Sequence, residues 1–365
     1  MVTKAVARQS SEAAETAEKL PAASIIVYTY NNPEGLAKLL PQLITQDYPG
    51  DFEIIVVNDS RDDASEMLVG SLSSGAAHRL YHTFTPRDTR NVSRKKLALT
   101  LGLKAAKNDL IVHVTSDTRI NSPHWLRELL SPMSCEETEI VIGYASPDIT
   151  ADTGYGSRAR YHDRLMGSVE YLSSALCGKA YRGDGDNLAY RRDTFFRMNG
   201  FIDSINLHYG DDDVFIYKAA TRKNVAVAIG NDAQVTSSVQ QPVNDYNARK
   251  LRYTFTSRLA GRGQHFFYGF GSFLLWLWMA LTASAIILSP ADIVIAGTCV
   301  ISALVMWLPL MIAWKRVSSA LHTRRFNWSV PGFMLWRPIR NIRYRLLSRK
   351  IHDAQSVSYT HLTLP

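Results

Sequence analysis

Cysteine is scarce in this chain. Its 365 residues contain three, Cys135, Cys177 and Cys299, and neither a CxxC pair nor a Cys/His spacing occurs among them. A disulfide framework needs an even set of cysteines at framework spacings, and a structural zinc site needs clustered Cys and His ligands. The sequence therefore excludes a disulfide-rich domain and a zinc module of the common kinds.

The first 22 residues lack the apolar run that forms the centre of a secretory signal peptide. We interpret residues 1–22 as a polar lead-in that is frayed or weakly helical. At the other end, residues 356–365 (SVSYTHLTLP) break the basic pattern that precedes them. We expect this last segment to be a non-native tail and leave it out of the fold.

Acidic residues are absent from residues 315–350, which hold ten of the chain's 41 Lys and Arg. The remaining chain carries 31 basic and 33 acidic residues, so the net charge of +8 comes from this segment alone. A basic cluster beside an apolar run is attracted to anionic lipid headgroups by about 1 kcal/mol per side chain. We interpret residues 315–355 as a juxtamembrane segment and expect no nucleic-acid partner, with nucleic-acid contact and a solvated basic surface as the alternatives.

Charged residues are also missing from two long apolar runs, at 266–288 and 293–314. Each is longer than the roughly 20 residues that cross a hydrocarbon core about 30 Å thick. Their short connector contains no Lys or Arg, whereas basic residues precede and follow the pair. The positive-inside rule then predicts a multi-pass transmembrane hairpin at 264–314 with both flanks in the cytosol. Two buried core helices are the alternative.

Residues 23–263 alternate β-rich apolar runs with helical patterns. Strands are predicted at 24–30, 52–57, 79–84 and 110–115, with helical spacing or capping residues between them. This alternation is typical of an α/β domain with a mostly parallel sheet flanked by helices. Ligands bind at the carboxyl ends of the strands in such sheets, and Asn31, Asp59 and Asp117 all fall there.

The polar residues at this edge suit a nucleotide-sugar donor. Asp59 can accept hydrogen bonds from a base or ribose, and the turn at Tyr30 and Asn31 closes the same pocket. Asp117 offers the hard oxygen ligand that Mg²⁺ or Mn²⁺ prefers when it bridges two phosphates. The alternatives are an Asx turn or helix cap at Asp59 and an ordinary turn residue at Asp117.

Basic side chains that can neutralise a leaving diphosphate occur in two groups, one opening a helix and one just before the first apolar run. The groups are Arg94, Lys95 and Lys96, and Arg249 and Arg252 with Tyr253. The two arginines are three residues apart and share a helix face. A solvated first turn is the alternative for the first group, and an interfacial membrane anchor for the second.

Three adjacent carboxylates, Asp211, Asp212 and Asp213, form the most informative cluster. Neighbouring carboxylates repel one another, which raises their pKa values unless a cation or basic group is near. A raised pKa suits a general base that deprotonates a sugar hydroxyl. An acidic helix N-terminus, stabilised by the helix dipole, is the alternative.

Taken in order, these residues resemble the family 2 inverting glycosyltransferases of GT-A fold, especially the membrane-attached bacterial branch related to polysaccharide synthases. Residues 24–31 (SIIVYTYN), 46–49 (QDYP), 52–59 (FEIIVVND) and 95–102 (KKLALTLG) are similar to the family's opening strands and helix. The DxD, acceptor-side, catalytic-base and QxxRW motifs correspond to residues 115–117 (TSD), 185–191 (GDNLAYR), 210–213 (GDDD) and 249–253 (RKLRY). The similarity runs in unbroken order through residues 23–260.

The resemblance implies an inverting transfer of a sugar from a UDP-sugar donor to a glycan or lipid-linked acceptor, at a bacterial cytoplasmic membrane. It implies Asp212 as the base, with Asp211 and Asp213 left open by alternative alignments, and Asp117 as the ligand of Mg²⁺ or Mn²⁺. The implied donor side comprises Thr29, Tyr30, Asn31, Asp59, Lys95, Lys96, Ser116, Arg249, Arg252 and Tyr253. The implied acceptor side comprises Gly185, Asn187 and Arg191.

The sequence departs from the family pattern at three positions. Thr115 replaces the first aspartate of DxD, while Arg249 and Tyr253 replace the glutamine and tryptophan of QxxRW. A catalytically inactive nucleotide-sugar-binding protein therefore remains an alternative. A sugar-phosphate nucleotidyltransferase is another, although residues 31–35 (NNPEG) are not the Gly-rich phosphate loop that it needs. Sugar, acceptor, processivity and oligomeric state stay open.

Overall fold

A computed structural model describes residues 1–12, 20–60, 62–73, 78–86, 92–154, 156–207, 209–238, 241–325 and 328–349. The tail expected to be non-native, residues 356–365, lies outside these ranges.

Ten strands occur within the described ranges. They are β1 (Ala23–Thr29), β2 (Phe52–Asn58), β3 (Arg79–Phe84), β4 (Leu110–Thr115), β5 (Thr118–Ile120), β6 (Ile140–Ile142), β7 (Ala145–Pro147), β8 (Leu188–Arg191), β9 (Val225–Val227) and β10 (Val235–Ser237). Seven form the central sheet in the order β3-β2-β1-β4-β8-β6-β9, and the others form a small sheet in the order β5-β10-β7. In the central sheet β1 to β4 are mutually parallel, and β8 is antiparallel to both of its neighbours.

Twelve α-helices lie in the same described part of the chain. They are α1 (Val2–Glu12), α2 (Pro33–Ile44), α3 (Asp63–Ser73), α4 (Arg94–Ala105), α5 (Trp125–Leu130), α6 (Ser157–Leu176), α7 (Arg192–Arg197), α8 (Asp213–Ala219), α9 (Pro242–Thr256), α10 (Arg262–Leu288), α11 (Ile293–Ala320) and α12 (Val330–Ser348). The α/β fold with a mostly parallel sheet, predicted from the sequence, is confirmed.

The apolar strands β1 and β2 bury both of their faces. Successive side chains of a strand point to opposite faces, so Ile26 packs in one core with Leu99 of α4, while Ile25 packs in the other with Leu36 and Leu40 of α2. The register places Tyr28 opposite both Val57 and Thr115. The carboxyl ends of β1, β2 and β4 therefore meet at one edge of the sheet.

The N-terminal segment is more ordered than the frayed or weakly helical lead-in expected from the sequence, because residues 2–12 form a packed helix. Val2 and Val6, one helical turn apart, are buried in the core. The amide of Gln9 donates to the carbonyl of Val227 at 2.6 Å and accepts from the N–H of Ile229 at 2.7 Å. Helix α1 thus covers the outer edge of β9, which pairs with β6 on its other side and has no further strand beyond it among the described residues.

The C-terminal apolar runs form α10 and α11, which contact each other through Trp278 and Trp307, with ring centroids 6.3 Å apart. Both helices are long and apolar enough to cross a membrane. They leave large side chains such as Phe266, Ile287 and Ile293 exposed. By length and composition, this exposed apolar pair favours membrane association.

The basic segment after the hairpin is partly used inside the protein. Residues 330–348 form α12, which packs against α6 and α9. Arg337 pairs with Asp163 at 2.9 Å and with Glu170, and Arg340 lies 3.7 Å from the same Asp163. Part of the positive charge of this segment is therefore used within the protein, because two of its arginines offset carboxylates of α6.

Candidate active site

Backbone hydrogen bonds tie together the loops at the carboxyl ends of β1, β2 and β4. The N–H of Asp59 donates to the carbonyl of Thr29, and the N–H of Ser116 donates to that of Tyr28, each at 2.9 Å. Asn31 has a φ of +47°, a value that asparagine tolerates better than most residues, and its N–H donates to Ser60 at 3.0 Å. The structure thus brings Asn31, Asp59 and Ser116 to one edge.

Asp59 is buried at this edge with its carboxylate fully engaged. Arg94 approaches one oxygen at 2.8 Å, and the hydroxyl of Thr85 donates to the same oxygen. The hydroxyl of Tyr28 donates to the other at 3.1 Å. Burial, together with the charge of Asp59, raises the pKa of Tyr28 well above its usual value, so Tyr28 stays a donor. The carboxylate therefore fixes Arg94 and Tyr28 at the carboxyl edge of the sheet. We call the region at this edge between Asp59, Lys95 and Asp211 the cleft.

Lys95 and Lys96 occupy consecutive positions of α4 and point in different directions. The ammonium of Lys95 lies 2.5 Å from Asp211 and above the ring of Tyr28. Lys96 is buried and donates to the carbonyls of Ser204 at 2.6 Å and Tyr209 at 2.7 Å. Burial lowers the pKa of Lys96 to about 8. Lys95 lies in the cleft, whereas Lys96, expected on the donor side, holds backbone outside it.

Asp117 follows β4 and is held by a neighbouring amide. The Nδ2 of Asn32 donates to its Oδ1 at 2.8 Å. Burial, and then repulsion from Asp186, raises the pKa of Asp117 to about 6. Thr115, at the first DxD position, donates its hydroxyl to Asp186 at 2.9 Å. Thr115 is therefore a donor that orients a carboxylate from another loop.

The residues at Asp117 suit a cation that arrives with a diphosphate. Within the described ranges no three His, Cys, Asp or Glu side chains are grouped as a protein-only metal site. Mg²⁺ commonly binds through one or two carboxylates together with substrate phosphates and water. Repulsion between Asp117 and Asp186 is the kind of interaction that a divalent cation relieves.

Arg249 of α9 is surrounded by carboxylates. Its guanidinium lies 2.8 Å from Asp186, 2.9 Å from Asp245 and 3.6 Å from Asp184. Burial acts to raise the pKa of Asp186, but the charge of Arg249 outweighs it and holds that pKa well below the usual value. Arg249 therefore joins α9 to the loop that carries Asp184 and Asp186.

The acidic triplet spreads its three carboxylates toward three partners. Asp211 pairs with Lys95 as described. Asp212 caps α8 by accepting the N–H of Asp213 at 2.8 Å, and it accepts the hydroxyl of Tyr253 at 2.9 Å. Arg252 lies 3.8 Å from the same oxygen of Asp212. Asp213 accepts the N–H of Val214 at 2.8 Å and the hydroxyl of Thr256.

The pKa of Asp213 makes a testable contribution to stability. Burial, and then repulsion from Asp212, raises the pKa of Asp213 to about 7, against about 3.9 in an unfolded chain. Between these values the folded chain binds a proton that the unfolded chain lacks. The stabilisation from this group is therefore full below about pH 4 and is lost as the pH rises through about 7.

We expect the thermal unfolding midpoint to fall more steeply between pH 5 and pH 8 in the wild type than in Asp213→Asn, whose neutral amide does not titrate. Differential scanning fluorimetry of both proteins in neutral detergent measures this. Parallel pH profiles for the two proteins would contradict the assignment.

Two of the three residues expected on the acceptor side lie elsewhere. Gly185 does border the cleft, since a Cβ there would stand 3.6 Å from both Asp211 and Lys95. Asn187 is buried and bonds to the carbonyls of Tyr144 and Ala233 and to the indole of Trp125. Arg191 donates to the carbonyls of Met133, Cys135 and Thr138. Asn187 and Arg191 therefore hold backbone instead of facing a substrate.

Comparison with known proteins identifies this architecture. Residues 24–198 match the profile described as Glycosyl transferase family 2. The chain carries a glycosyl transferase family 2 domain. Among solved structures, a mannosyltransferase, PcManGT from Pyrobaculum calidifontis in complex with GDP-Man and Mn²⁺, shares 17% identity at a TM-score of 0.54 over 93% of each chain. That similarity supports the GT-A fold.

Two curated relatives are both named N-acetylglucosaminyltransferase. The relative from Rhizobium meliloti (strain 1021) is 25% identical over 361 residues, which cover 90% of this chain and 78% of that protein. The relative from Bradyrhizobium elkanii is 30% identical over 105 residues, which cover 27% of this chain and about half (53%) of that protein.

Several residues that build the cleft were not singled out from the sequence. They are Tyr28, Thr85, Asp184, Asp186 and Thr256. The Gly-rich turn at residues 182–186 (RGDGD) carried a signal, because two aspartates in a turn next to a predicted acceptor-side motif are candidates for a cleft. Tyr28, Thr85 and Thr256 carried none, because their partners are 26 to 43 residues away.

Proposed function

We propose that the chain is a membrane-attached inverting glycosyltransferase that moves a sugar from a UDP-sugar to a hydroxyl of a glycan or lipid-linked acceptor. The family 2 domain supports the reaction class. The observation that supports the proposal is the set of contacts that links three groups, namely the Asp59–Arg94 pair, the Asp117–Asp186–Arg249 set and the aspartates 211–213. Lys95 joins them, because it lies over Tyr28 and pairs with Asp211.

The donor nucleotide would lie across the ends of β1, β2 and β4. Asp59, Arg94 and the exposed ring of Tyr30 are suited to hold the base and ribose, with Thr29, Asn31 and Ser116 supplying the walls. We propose N-acetylglucosamine as the transferred sugar, because both curated relatives are named for it.

The transfer is a single displacement. The acceptor oxygen attacks the anomeric carbon, the bond from that carbon to the diphosphate oxygen breaks, and the diphosphate leaves with the electron pair. The acceptor proton passes to Asp212, which Tyr253 orients. Lys95 and Arg252 offset the charge that develops on the leaving group. A divalent cation on Asp117 would supply further positive charge there when bound.

We choose Asp212 as the base because the carboxylates of Asp211 and Asp213 are occupied by other side chains. Asp211 is neutralised by Lys95. Asp213 is paired with Thr256 inside the protein. Asp212 instead contacts Tyr253, which lines a cavity next to the cleft.

Helices α10 and α11 would anchor this domain in a bacterial cytoplasmic membrane. We propose residues 23–263 as the catalytic domain, 264–314 as the hairpin and 315–355 as a basic segment at the membrane surface. This arrangement keeps the cleft close to an acceptor delivered by the membrane, with the catalytic domain in the cytosol.

The native cysteines test that orientation. Cys135 and Cys177 are exposed on the catalytic domain, whereas Cys299 lies in α11. In intact bacterial cells we expect a membrane-impermeant maleimide to leave all three unlabelled. In inside-out vesicles, Cys135 and Cys177 should react. Labelling of Cys135 or Cys177 in intact cells contradicts the cytosolic orientation, and mass spectrometry of tryptic peptides assigns each site.

Product analysis tests the proposed reaction. Full-length protein in neutral detergent, with Mn²⁺ and a bacterial membrane lipid and glycan extract, is offered UDP-GlcNAc, UDP-glucose, UDP-galactose and GDP-mannose. We expect release of UDP and an acceptor mass gain of one N-acetylhexosamine from UDP-GlcNAc. Donor binding without turnover for every donor would favour the inactive binding protein. Formation of UTP and sugar 1-phosphate from a UDP-sugar on addition of pyrophosphate would favour a nucleotidyltransferase.

A further inference from the structure

A polar cavity of about 190 Å³ lies between α6, α9, α10 and α12, next to the cleft. Asp184, Arg249 and Tyr253 border both spaces. The volume is below the roughly 300 to 1,000 Å³ of pockets that hold whole small molecules. The cavity therefore has room for one group of a larger ligand, and not for a second nucleotide sugar.

Arg182 lines this cavity without a partner for its charge. Its guanidinium carbon lies 3.2 Å from the ring centroid of Tyr253 and 5.2 Å from that of Tyr171. In the described part of the chain, its side chain makes no hydrogen bond or ion pair, and its Nε is buried. Arg182 is half-buried, and a guanidinium partly removed from water without an acceptor is costly. The arrangement is suited to an anion that arrives with a ligand.

The lining is basic overall. Six of its described side chains are Lys or Arg and three are Asp or Glu. The three acids are already paired, Asp163 with Lys250, Glu170 with Arg337 and Asp184 with Arg249. Arg345 and Asn341 of α12 also line the cavity, and neither side chain has a hydrogen-bond partner among the described residues. Arg249 and Arg164 are further offset by Asp186 and Asp245, so Arg182 and Arg345 are the lining cations without a carboxylate partner among the described residues.

The side of the cavity that is formed by α10 is lined with small and polar residues. His265, Tyr268, Gly269 and Ser272 come from the first turns of α10, the first of the two membrane-length helices. No atom within 4 Å would meet a Cβ added at Gly269. If α10 enters the bilayer as proposed, the cavity lies at the depth of lipid headgroups.

We propose that this cavity binds a phosphate group of the acceptor and that Arg182 recognises it. The inference rests on the proposed function and specifies its acceptor class. Tyr253 connects the two sites, because its ring contacts Arg182 while its hydroxyl donates to Asp212. A phosphate bound at Arg182 would place the attached acceptor beside the base. The planar guanidinium pairs with two phosphate oxygens at once.

Binding of two phosphate probes to the full chain in neutral detergent tests the proposal. Saturating UDP first occupies the donor cleft, so that inorganic pyrophosphate, added in a calorimetric titration, reports on the cavity. In the second arm, native mass spectrometry counts phosphatidic acid retained from mixed micelles with phosphatidylcholine. The variants are Arg182→Gln, Arg182→Lys and, as a matched control for loss of one charge, Lys223→Gln, whose side chain is exposed away from the cavity.

We expect Arg182→Gln to weaken binding at least about tenfold, as for loss of a charged hydrogen-bond partner. Arg182→Lys should lose less affinity for the probes than Arg182→Gln, and Lys223→Gln should bind them as tightly as the wild type. If Arg182→Gln loses binding of both probes, a phosphate group is enough for recognition. If it loses binding of phosphatidic acid but not of pyrophosphate, recognition requires a lipid carrier. Either result supports the proposal. Absence of wild-type binding, or equal binding by Arg182→Gln, overturns it.

A separate UDP titration distinguishes this proposal from the function on which it rests. All three variants should bind UDP within about twofold of the wild type. If UDP binds normally and both phosphate arms fail, the acceptor inference alone is wrong. If the wild type does not bind UDP, the proposed function itself fails.

Discussion

Asp212→Asn is expected to lower the rate of sugar transfer by about 10²- to 10⁴-fold, the contribution of a positioned general base. The amide oxygen of Asn can still accept one of the two hydrogen bonds made by Asp212, from the N–H of Asp213 or the hydroxyl of Tyr253. Fold and donor affinity should therefore change little. Single-turnover transfer rates, with UDP affinity measured in parallel, separate the loss of the base from a loss of binding.

The matched control is Asp193→Asn, which removes an exposed carboxylate of α7 and should leave the rate unchanged. Asp211→Asn and Asp213→Asn complete the series. If Asp213→Asn abolishes transfer and Asp212→Asn does not, the base is assigned to the wrong aspartate. If none of the three substitutions lowers the transfer rate, the triplet is an acidic helix N-terminus without a catalytic role.

Arg249→Ala is expected to have the largest effect on stability, about 3–5 kcal/mol. Removal of one member of a buried ion pair leaves uncompensated charge, and this substitution strips Asp184, Asp186 and Asp245 of a shared partner. UDP affinity should fall as well, because the same carboxylates border the diphosphate site. Chemical unfolding of the described α/β fold, followed by circular dichroism, measures the loss in stability.

A double variant tests whether the charge cluster causes that loss. Asp186→Asn removes one of the carboxylates, so the pair Arg249→Ala with Asp186→Asn should be more stable than Arg249→Ala alone. Arg197→Ala is the control, since its partners Asp193 and Glu139 lie at the surface, where ion pairs contribute about 0–1 kcal/mol. The account would be contradicted if Arg249→Ala and Arg197→Ala lowered the free energy of unfolding equally. It would also be contradicted if the effects of Arg249→Ala and Asp186→Asn on that free energy were strictly additive.

The edge of the sheet that carries the site could be predicted from the sequence, because neighbouring parallel strands have their carboxyl ends at the same edge. Once β1, β2 and β4 are parallel neighbours, the residues after each strand must meet, and this placed Asn31, Asp59 and Asp117 together. The long strands also had clear apolar patterns. Strands β5, β6, β7 and β10 are three residues each, which is too short for an alternation to be recognised.

The direction of single side chains was not predictable in the same way. Successive residues of a helix point about 100° apart, so only the packing of α4 decides that Lys95 faces the cleft and Lys96 does not. The paired role of Arg337 depends on Asp163, 174 residues earlier in the chain. Helix α1 did leave a signal in Val2 and Val6, because apolar residues four apart share a helix face.

The central claim is that Asp59 and Asp117 serve one donor site. Equilibrium titration of the full chain with UDP and Mn²⁺ tests it most directly, using Asp59→Asn, Asp117→Asn and the surface control Asp203→Asn. We predict that the wild type and the control bind UDP equally and that each cleft variant loses at least about tenfold in affinity. Wild-type protein that does not bind UDP, or binding that neither cleft substitution weakens, would contradict the account.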